Sequence, residues 1–443
     1  MPTTAIARPG GPRAALARIS AAASRDPRRT ALAIYLLAAV VTVCFGLAVR
    51  YRAAPALLEA DELEYFAIAT ELLAGAHEVG GRRTLAFPLL LAAVRSLTGD
   101  FLLLQVAASL IYAASPVLLF ALVRRLGGRD GSALGAALVL TVWPPALFYG
   151  ASLYSESVAL PAFLLALLCL PVGSRLVAGS ARVDIRSCLV AGLTLALATH
   201  VRTMYQLFLP FLLLVLLFEE RRIRVALARF GLVVAAFLLG ILPWSLHVSA
   251  GLGRPVLVTA NGGETLAGGL TPRLLDGPDL GDEALADAAV QGRRAWNGPG
   301  KWVEPELTGY LSPAELALPY AEKDRLLRTR AVGWALANPD RAAALEAAKL
   351  GYMWGFHGFD RNGVRQVVFG NLPTIALLAV AILLAFRRRR AAAPLARLWI
   401  LPVFVSAVAL ISWGSWRFRQ PGDAGLIAFV AIAAGRRPNL AER

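Results

Sequence analysis

Long apolar runs separated by clusters of arginine are the feature that most limits what this chain can fold into. A membrane-spanning helix needs about 20 mostly apolar residues, because no backbone amide can stay unpaired in hydrocarbon. Of the 443 residues, 57% are apolar and 17% are charged, whereas about a quarter are charged in an ordinary soluble domain. The sequence therefore predicts an all-α polytopic membrane protein and excludes a routine soluble enzyme or a disordered chain.

Ten apolar runs are predicted to be transmembrane helices. They are residues 31–49, 101–123, 132–150, 157–172, 187–200, 203–218, 230–250, 367–386, 395–412 and 423–434. The stretch 85–98 is also apolar, but it is short and contains Pro88 and Arg95, so an interfacial or re-entrant helix is expected there. The first run follows a long arginine-rich head and lacks a clear cleavage site, which indicates an anchor rather than a removed signal peptide.

The distribution of charge predicts how the spans are oriented. The net charge of +16 could suggest nucleic-acid binding, but 42 of the 45 basic residues are arginines that punctuate the apolar runs. With ten spans and a cytoplasmic N-terminus, the inner segments hold 24 basic and 6 acidic residues, and the outer segments hold 21 and 23. Short cytoplasmic loops are typically rich in arginine and lysine. Both termini are therefore predicted to lie in the cytoplasm. An eleventh span at 85–98 would place the later arginine clusters on the outer side of the membrane.

Four regions follow from this topology. They are an arginine-rich cytoplasmic head (1–30), a main transmembrane module (31–250) with a first outer loop (50–100), a large outer loop domain (251–366), and C-terminal spans with a short cytoplasmic tail (367–443). The large loop alternates helical and turn signals, so a small helical subdomain is expected. The three cysteines all lie inside apolar stretches, which excludes a disulfide framework.

An acidic pair in the first outer loop is the sharpest signal of function. The sequence DELEYFAIATELLAG has apolar residues at helical spacing, and it places Asp61 and Glu62 at the start of the helix, next to the membrane. One interpretation is a capping box, with Asp61 as N-cap and Glu64 three residues later. The other is that a carboxylate just above the lipid surface acts as general base for an acceptor hydroxyl or amine. One residue can do both.

A second acid, Glu156, supports the functional interpretation. It is the only charged residue between Asp130 and Arg175, and it lies where two predicted spans meet on the outer side. An ionisable group at membrane depth is costly, so it is a functional candidate, although a hydrated turn would also accommodate it.

Basic side chains at the outer boundary are candidate phosphate ligands, because a guanidinium binds phosphate through two parallel hydrogen bonds. The candidates are His200, Arg202, Arg417 and Arg419. The alternative is that such arginines only contact lipid headgroups, and this is preferred for Arg82 and Arg83. The sequence contains no metal-spaced Cys/His cluster and no Walker-type loop.

These segments, taken in order, resemble the integral membrane glycosyltransferases of the C-type (GT-C) fold. The likeness is greatest to the family 39-like branch of protein O-mannosyltransferases and lipid A aminoarabinose transferases. It lies in DELEYFAIATELLAG, FPLLLAAVRSLTGD, LVRRLGGRDGSAL, WPPALFYGASLYSES, GLTLALATHVRTMYQLFLP, ILPWSLHVSAGLGRPVLVTANGGETLAGG and WRFRQPGDAGLIAFVAIAAG. It covers about 50–270 and 395–435, whereas 271–366 matches nothing in the family.

The resemblance implies an enzyme that transfers a hexose or pentose from a polyprenyl-phosphate-linked donor, with inversion, on the outer face of the cytoplasmic membrane. Asp61 would be the general base with Glu62 as its neighbour, and Glu156 would orient donor or acceptor. Arg202, and Arg417 or Arg419, would hold the departing lipid phosphate, and His200 lies beside Arg202. The arginines would remove the need for a metal cofactor, although a divalent metal is not excluded.

The resemblance is incomplete at two places. The Pro-Trp motif is usually followed by an Arg-Asn pair, but Leu246 and His247 stand there, and Arg419 interrupts the usual arginine-aromatic-apolar order of the tail. Donor anchoring is therefore expected to differ from that of better-known members.

The acceptor class stays open between lipid, glycan and protein. A transporter or flippase of a lipid-linked sugar, a lipid-linked glycan polymerase or ligase, and a non-catalytic membrane scaffold are the alternatives. The richness in arginine and alanine suggests a bacterial cell-envelope protein from a high-GC genome.

Overall fold

Helices account for all regular secondary structure in the residues that the computed structural model describes. These residues are 26–58, 61–75, 81–177, 183–276, 302–356, 367–388 and 393–435. Helix is the expected result for apolar runs in a bilayer, because it pairs every backbone amide within one segment.

The α-helices are numbered α1 to α18 in chain order. They are α1 Pro27–Phe45, α2 Asp61–Leu73, α3 Ala86–Thr98, α4 Phe101–Tyr112, α5 Ala114–Arg125, α6 Asp130–Val142, α7 Pro144–Gly150, α8 Glu156–Cys169, α9 Ile185–Val201, α10 Leu209–Glu219, α11 Ile223–Leu252, α12 Gly262–Gly269, α13 Arg273–Asp276, α14 Tyr320–Ala337, α15 Pro339–Met353, α16 Leu372–Arg387, α17 Ala396–Leu410 and α18 Gln420–Gly435. Short π or 3₁₀ segments extend several of them, as at Gly46–Arg50, Thr203–Phe208 and Val367–Asn371.

Four of the described helical segments are long and apolar enough to cross a membrane. They are Pro27–Arg50, Phe101–Arg125, Ile223–Leu252 and Val367–Arg387. The segment 132–150, predicted as one run, is instead two helices, α6 and α7, bent by 61°. The reason is the Pro144-Pro145 pair, which removes backbone donors and cannot continue a preceding helix.

The remaining predicted spans lie on shorter helices. The apolar helices Glu156–Cys169, Ile185–Val201, Thr203–Glu219 and Ala396–Leu410 have 10–17 residues, and α18 has 16. A helix of 16 residues rises about 24 Å, which is less than the roughly 30 Å of hydrocarbon. The structure thus supports a membrane protein with several spans, while the number ten and the orientation stay predictions.

Close helix contacts depend on small residues in the shared surfaces. In the α9–α11 contact, a Cβ on Gly192 would overlap the backbone carbonyl of Val233. In the α17–α18 contact, a Cβ on Gly425 would lie 2.5 Å from the Leu398 carbonyl oxygen. Such residues let two backbones approach closely enough for van der Waals attraction to hold helices together in lipid.

Buried arginine–carboxylate pairs join the ends of several helices at the predicted inner side. Arg397, which is fully buried, donates to both carboxylate oxygens of Glu219, with Nε 2.9 Å from Oε1. The same guanidinium also donates to three carbonyls at the end of α8, those of Leu167, Leu170 and Pro171. One side chain therefore holds together the end of α8, the end of α10 and the start of α17.

The described part of 251–366 is helical, as the turn and helix signals predict. Helices α12 and α14 pack on each other and share a separate small core that includes Ala267, Leu327 and Leu345. Helix α15 packs on α17. The boundaries 251–366 themselves stay a prediction.

Candidate active site

Charged side chains from four distant parts of the sequence meet at one cavity of about 390 Å³. Asp61, Arg202 and Arg417 line this cavity, and Glu156 contacts both arginines at its wall. Of the seven site residues predicted from the sequence, the structure brings these four together.

Arg417 is the centre of the cluster. Its Nη1 donates to Asp61 Oδ2, its Nε donates to Glu156 Oε1, and its Nη2 lies 3.0 Å from Glu156 Oε2. The residue belongs to the segment Ile411–Arg419 between α17 and α18, which we call the arginine loop. A guanidinium whose five donors lie in one plane can serve two carboxylates at once, and a lysine cannot do this in the same way.

Arg202 approaches Glu156 from the other side. Its Nη1 lies 2.6 Å from Glu156 Oε1 and 3.2 Å from Ser155 Oγ. Arg202 directly follows α9 with extended backbone (φ −148°), and a 3₁₀ turn begins immediately after it. This break between the two helices turns the side chain into the cavity rather than along a helix surface.

Arg83 is a third guanidinium in the cluster, and the preferred sequence interpretation missed it. Its Nη2 lies 2.7 Å from Asp61 Oδ1 and 2.7 Å from Glu64 Oε2. Arg82 donates to Glu264 over 2.7 Å. Both arginines therefore pair with carboxylates and line the cavity, instead of only contacting lipid headgroups. The available signal was that Asp61 and Glu64, three residues apart, present their acids on one helix face.

These contacts also bear on the capping-box alternative. The two carboxylate oxygens of Asp61 accept from Arg83 and Arg417, and an oxygen of Glu64 accepts from Arg83. Both acids thus hold arginines from other elements of the fold, which is more than a local helix cap does.

The electrostatics of the cluster shift the pKa values of Asp61 and Arg417 in opposite directions. Burial raises the pKa of Asp61, but the charges of Arg417 and Arg83 outweigh burial and hold this pKa well below its ordinary value. Burial lowers the pKa of Arg417, but Glu156 and Asp61 outweigh it and raise this pKa well above its ordinary value. In this arrangement Asp61 is a weak base, and its basicity depends on where the guanidinium charge lies.

Glu62 lies outside the cavity although it neighbours Asp61. It is 2% exposed, and its carboxylate accepts from Arg50 Nη2 and from the backbone amide of Leu153, both over 3.0 Å. Burial raises the pKa of Glu62, against the charge of Arg50. Successive residues on a helix point in different directions, so Glu62 fixes the segment before Glu156 to α2 instead of facing the cavity.

Arg419 and His200 are not among the cavity-lining residues either. Arg419 is 1% exposed, pairs with Asp423 one turn later in α18, and donates to the Met353 carbonyl over 2.5 Å. His200 Nε2 lies 3.1 Å from the Gly240 carbonyl oxygen of α11. Both side chains link helices in this structure.

An apolar cavity of about 810 Å³ lies on the other side of the arginine loop. Phe45 and Val49 at the end of the first span, Pro145 and Phe148 of α7, and Phe369 line it. Ser415 and Trp416 of the arginine loop also line this cavity, whereas Trp413 and Arg417 of the same loop line the charged one. The loop is therefore a wall shared by a charged space and an apolar space.

No group of three His, Cys, Asp or Glu side chains suited to a metal ion occurs within the described residues. The positive charge of the cluster comes from guanidinium groups.

Comparison of the sequence with protein-family models and with curated proteins finds no match. Among solved structures, this chain is similar to the archaeal oligosaccharyltransferase AglB from Archaeoglobus fulgidus in complex with an inhibitory peptide and a dolichol-phosphate (16% identity, TM-score 0.49, 91% of this chain and 50% of that one). It is also similar to the oligosaccharyltransferase of that organism tethered to an acceptor peptide (15% identity, TM-score 0.49, 92% of this chain and 49% of that one). The chain spans about half the length of these proteins.

Proposed function

We propose that this protein is an inverting GT-C-type glycosyltransferase that takes a sugar from a polyprenyl-phosphate donor at the outer face of the cytoplasmic membrane. The single observation that carries the proposal is the buried cluster in which Arg417 joins Asp61 and Glu156. It combines phosphate-binding groups with a carboxylate base in one cavity. The ten-span arrangement and the likeness to the family 39-like branch belong to the same proposal.

The guanidinium groups suit the leaving group. Transfer from a lipid phosphate breaks the bond between the anomeric carbon and a phosphate oxygen, and that oxygen keeps the electron pair. Arg202 and Arg417 supply fixed positive charge where this negative charge develops, which is the principal way in which enzymes stabilise such a step. Arg83 is a third cation in the cluster, and it donates to the carboxylate of Asp61.

Asp61 is the proposed general base. It takes the proton from the acceptor hydroxyl or amine while the acceptor atom forms the new bond to the anomeric carbon, opposite the departing phosphate. The configuration at that carbon inverts because there is one displacement. Glu156 is assigned to holding Arg202 and Arg417 in register, and Glu62 to positioning the segment that carries Glu156. Arg419 and His200 are assigned to the fold rather than to the phosphate.

The neighbouring apolar cavity suits the lipid part of the donor. Its 810 Å³ space is lined mainly by aromatic, aliphatic and proline side chains, and it adjoins the charged cavity through the arginine loop. A donor with an apolar tail and a charged head needs two such spaces side by side.

The decisive experiment is sugar transfer from radiolabelled polyprenyl-phosphate sugars in membranes that contain the intact chain or Asp61→Asn. The asparagine keeps the size of Asp61 and one accepting oxygen, but its amide nitrogen cannot accept from the second arginine, and the side chain cannot take the acceptor's proton. We expect loss of transfer by a factor of about 10²–10⁴ with unchanged expression. The matched control is Glu322→Gln on an exposed part of α14, which should transfer normally.

Full activity of Asp61→Asn would contradict the catalytic assignment. A second candidate function, movement of a lipid-linked sugar across the membrane, is favoured by the 61° break between α6 and α7, because broken helices are common in transporters. Absence of transfer by the intact chain from all donors, together with transbilayer movement of a labelled donor in vesicles, would favour that candidate.

A further inference from the structure

A second polar cavity, of about 340 Å³, lies beside the candidate active site. It is formed by α12, by the start of α14 and by the segment before the turn Pro305–Leu307. Trp302, Glu304, Glu306 and Tyr320 are among its lining residues. The volume of this cavity lies within the range of small-molecule sites, and it offers one aromatic face and several polar groups.

The second cavity shares a wall with the catalytic cavity. Arg82 lines both, and its Nη2 lies 2.7 Å from Glu264 Oε1. The other carboxylate oxygen of Glu264 accepts from the Tyr320 hydroxyl over 2.7 Å. The rings of Trp302 and Trp413, which face the second and the catalytic cavity, have centroids 6.1 Å apart.

The indole of Trp302 is held in one position. A Cβ on Gly268 would overlap the indole ring, so only glycine lets the ring approach α12 this closely. The next residue, Val303, is 2% exposed and donates its amide to the Gly268 carbonyl over 2.9 Å. The ring is therefore a rigid flat surface rather than a mobile side chain.

The rim of the cavity carries carboxylates that can bind a ligand. Glu304 and Glu306 are exposed, and neither carboxylate has a hydrogen-bond partner in the described part of the chain. Asp324, in contrast, is buried and accepts from the amides of Gly263 and Glu264. A carboxylate only accepts hydrogen bonds, so the rim suits a ligand rich in hydroxyl groups.

We propose that this cavity binds a sugar ring of the acceptor, next to the cavity in which transfer takes place. The apolar C–H face of the ring lies on Trp302, and its hydroxyl groups donate to Glu304 and Glu306. The lining acids outnumber the lining bases, so a phosphorylated or otherwise acidic ligand is disfavoured. The role as an acceptor site rests on the proposed function, whereas binding of a sugar ring does not.

The test is saturation-transfer NMR on the full chain in detergent, with neutral malto-, manno- and chito-oligosaccharides of two to four rings as probes. The intact chain should bind at least one probe. Trp302→Leu and the double variant Glu304→Gln/Glu306→Gln should each bind it about tenfold more weakly, or not at all. Arg417→Gln in the catalytic cavity and the surface control Glu322→Gln should bind as the intact chain does.

The two rim substitutions are isosteric and exposed, so they keep the test valid if Trp302→Leu fails to fold. Probe binding that is lost in Arg417→Gln but kept in the rim variants would overturn the inference, because the sugar would then lie in the catalytic cavity. Failure of the intact chain to bind any sugar probe would also overturn it. Tighter binding of trilysine, a cationic peptide that the acidic rim would attract, than of any sugar probe would do the same. Sugar binding without sugar transfer would keep the sugar site but contradict its role as an acceptor site together with the proposed function.

Discussion

Arg417 is the residue through which the candidate site is assembled, since it contacts carboxylates from α2 and α8. The charge of Arg417 keeps the pKa of Asp61 low. A lipid phosphate that binds Arg417 and Arg202 competes with Asp61 and Glu156 for the same donors. Donor binding is thereby expected to raise the pKa of Asp61 and make it a better base at the moment when the acceptor must be deprotonated.

The activity is expected to depend on pH through Asp61. Because the pKa of Asp61 is depressed in the folded protein, its ion pairs stabilise the fold above the ordinary value of about 4, and this stabilisation is lost as pH falls through the lower, folded-state value. Arg417→Gln removes one of the two main cations, so the pKa of Asp61 rises. The acidic limb of kcat/KM for the residual activity should therefore move to higher pH.

A pH series of initial transfer rates measures this shift. Arg330→Gln removes an arginine that pairs with Glu315, away from the cluster, and should leave the limb in place. An acidic limb that is identical in Arg417→Gln and the intact chain would argue against Asp61 as the titrating base.

The sequence predicts which residue types lie near the site, but the direction in which each side chain points is set by helix packing. Asp61, in the acidic pair of the first outer loop, and Glu156, an isolated acid, stood out near membrane boundaries, and both lie in the cluster. Glu62 has the same sequence signal but faces Arg50, because helix rotation relative to its neighbours decides which acid faces the cavity. Residue type at a boundary is visible in a sequence, whereas the choice between neighbouring residues needs tertiary packing.

At the level of elements, α15 holds the arginine loop in position. Lys349 is fully buried, and its Nζ donates to the carbonyls of Leu410 and Ser412 over 3.3 and 3.0 Å. A Cβ on Gly414 would overlap the Lys349 carbonyl, and one on Gly269 would overlap the Ser412 carbonyl. The loop is thus enclosed between α12 and α15, both from the predicted outer region.

We expect Lys349→Met to weaken donor binding indirectly, through the position of the arginine loop. The methionine keeps much of the apolar stem but leaves two carbonyls without their donor, which costs about 1–3 kcal/mol for a buried group. KM for the polyprenyl-phosphate sugar should rise more than kcat falls, together with a lower unfolding temperature. Arg325→Met on the exposed face of α14 is the control, and an unchanged donor KM would exclude this positioning role.

Element prediction succeeded where composition alone decides. Every predicted apolar run lies largely on helices, because a helix pairs its backbone amides within one segment. The run 132–150 is the instructive exception, since its hydropathy is continuous but Pro144 and Pro145 bend the chain by 61°. The bend places α7 beside the apolar cavity. The position of α7 in the site is therefore set by the proline pair rather than by the hydropathy of the run.

At the scale of the whole molecule, the ion pair of Arg397 and Glu219 holds the ends of several helices together on the predicted cytoplasmic side. Both side chains are at most 1% exposed. Arg397→Met alone leaves a buried carboxylate without its partner, which is expected to lower the free energy of unfolding by about 3–5 kcal/mol. Arg397→Met/Glu219→Leu removes both charges and should recover part of this loss.

Thermal unfolding of the purified protein in detergent, followed by tryptophan fluorescence, measures the stability of both variants relative to the intact chain. Recovery should be incomplete, because Leu167, Leu170 and Pro171 lose the donor to their carbonyls in either variant. A double variant that is less stable than Arg397→Met would refute the ion-pair explanation.

The arginine loop has a consequence for how such a protein can change its substrates. One short segment forms part of the wall around the charged head of the proposed donor and part of the wall around its apolar tail. Preferences for the transferred sugar and for the length of its carrier would then be inherited together. A chimera that exchanges this segment alone should alter both preferences in a single step.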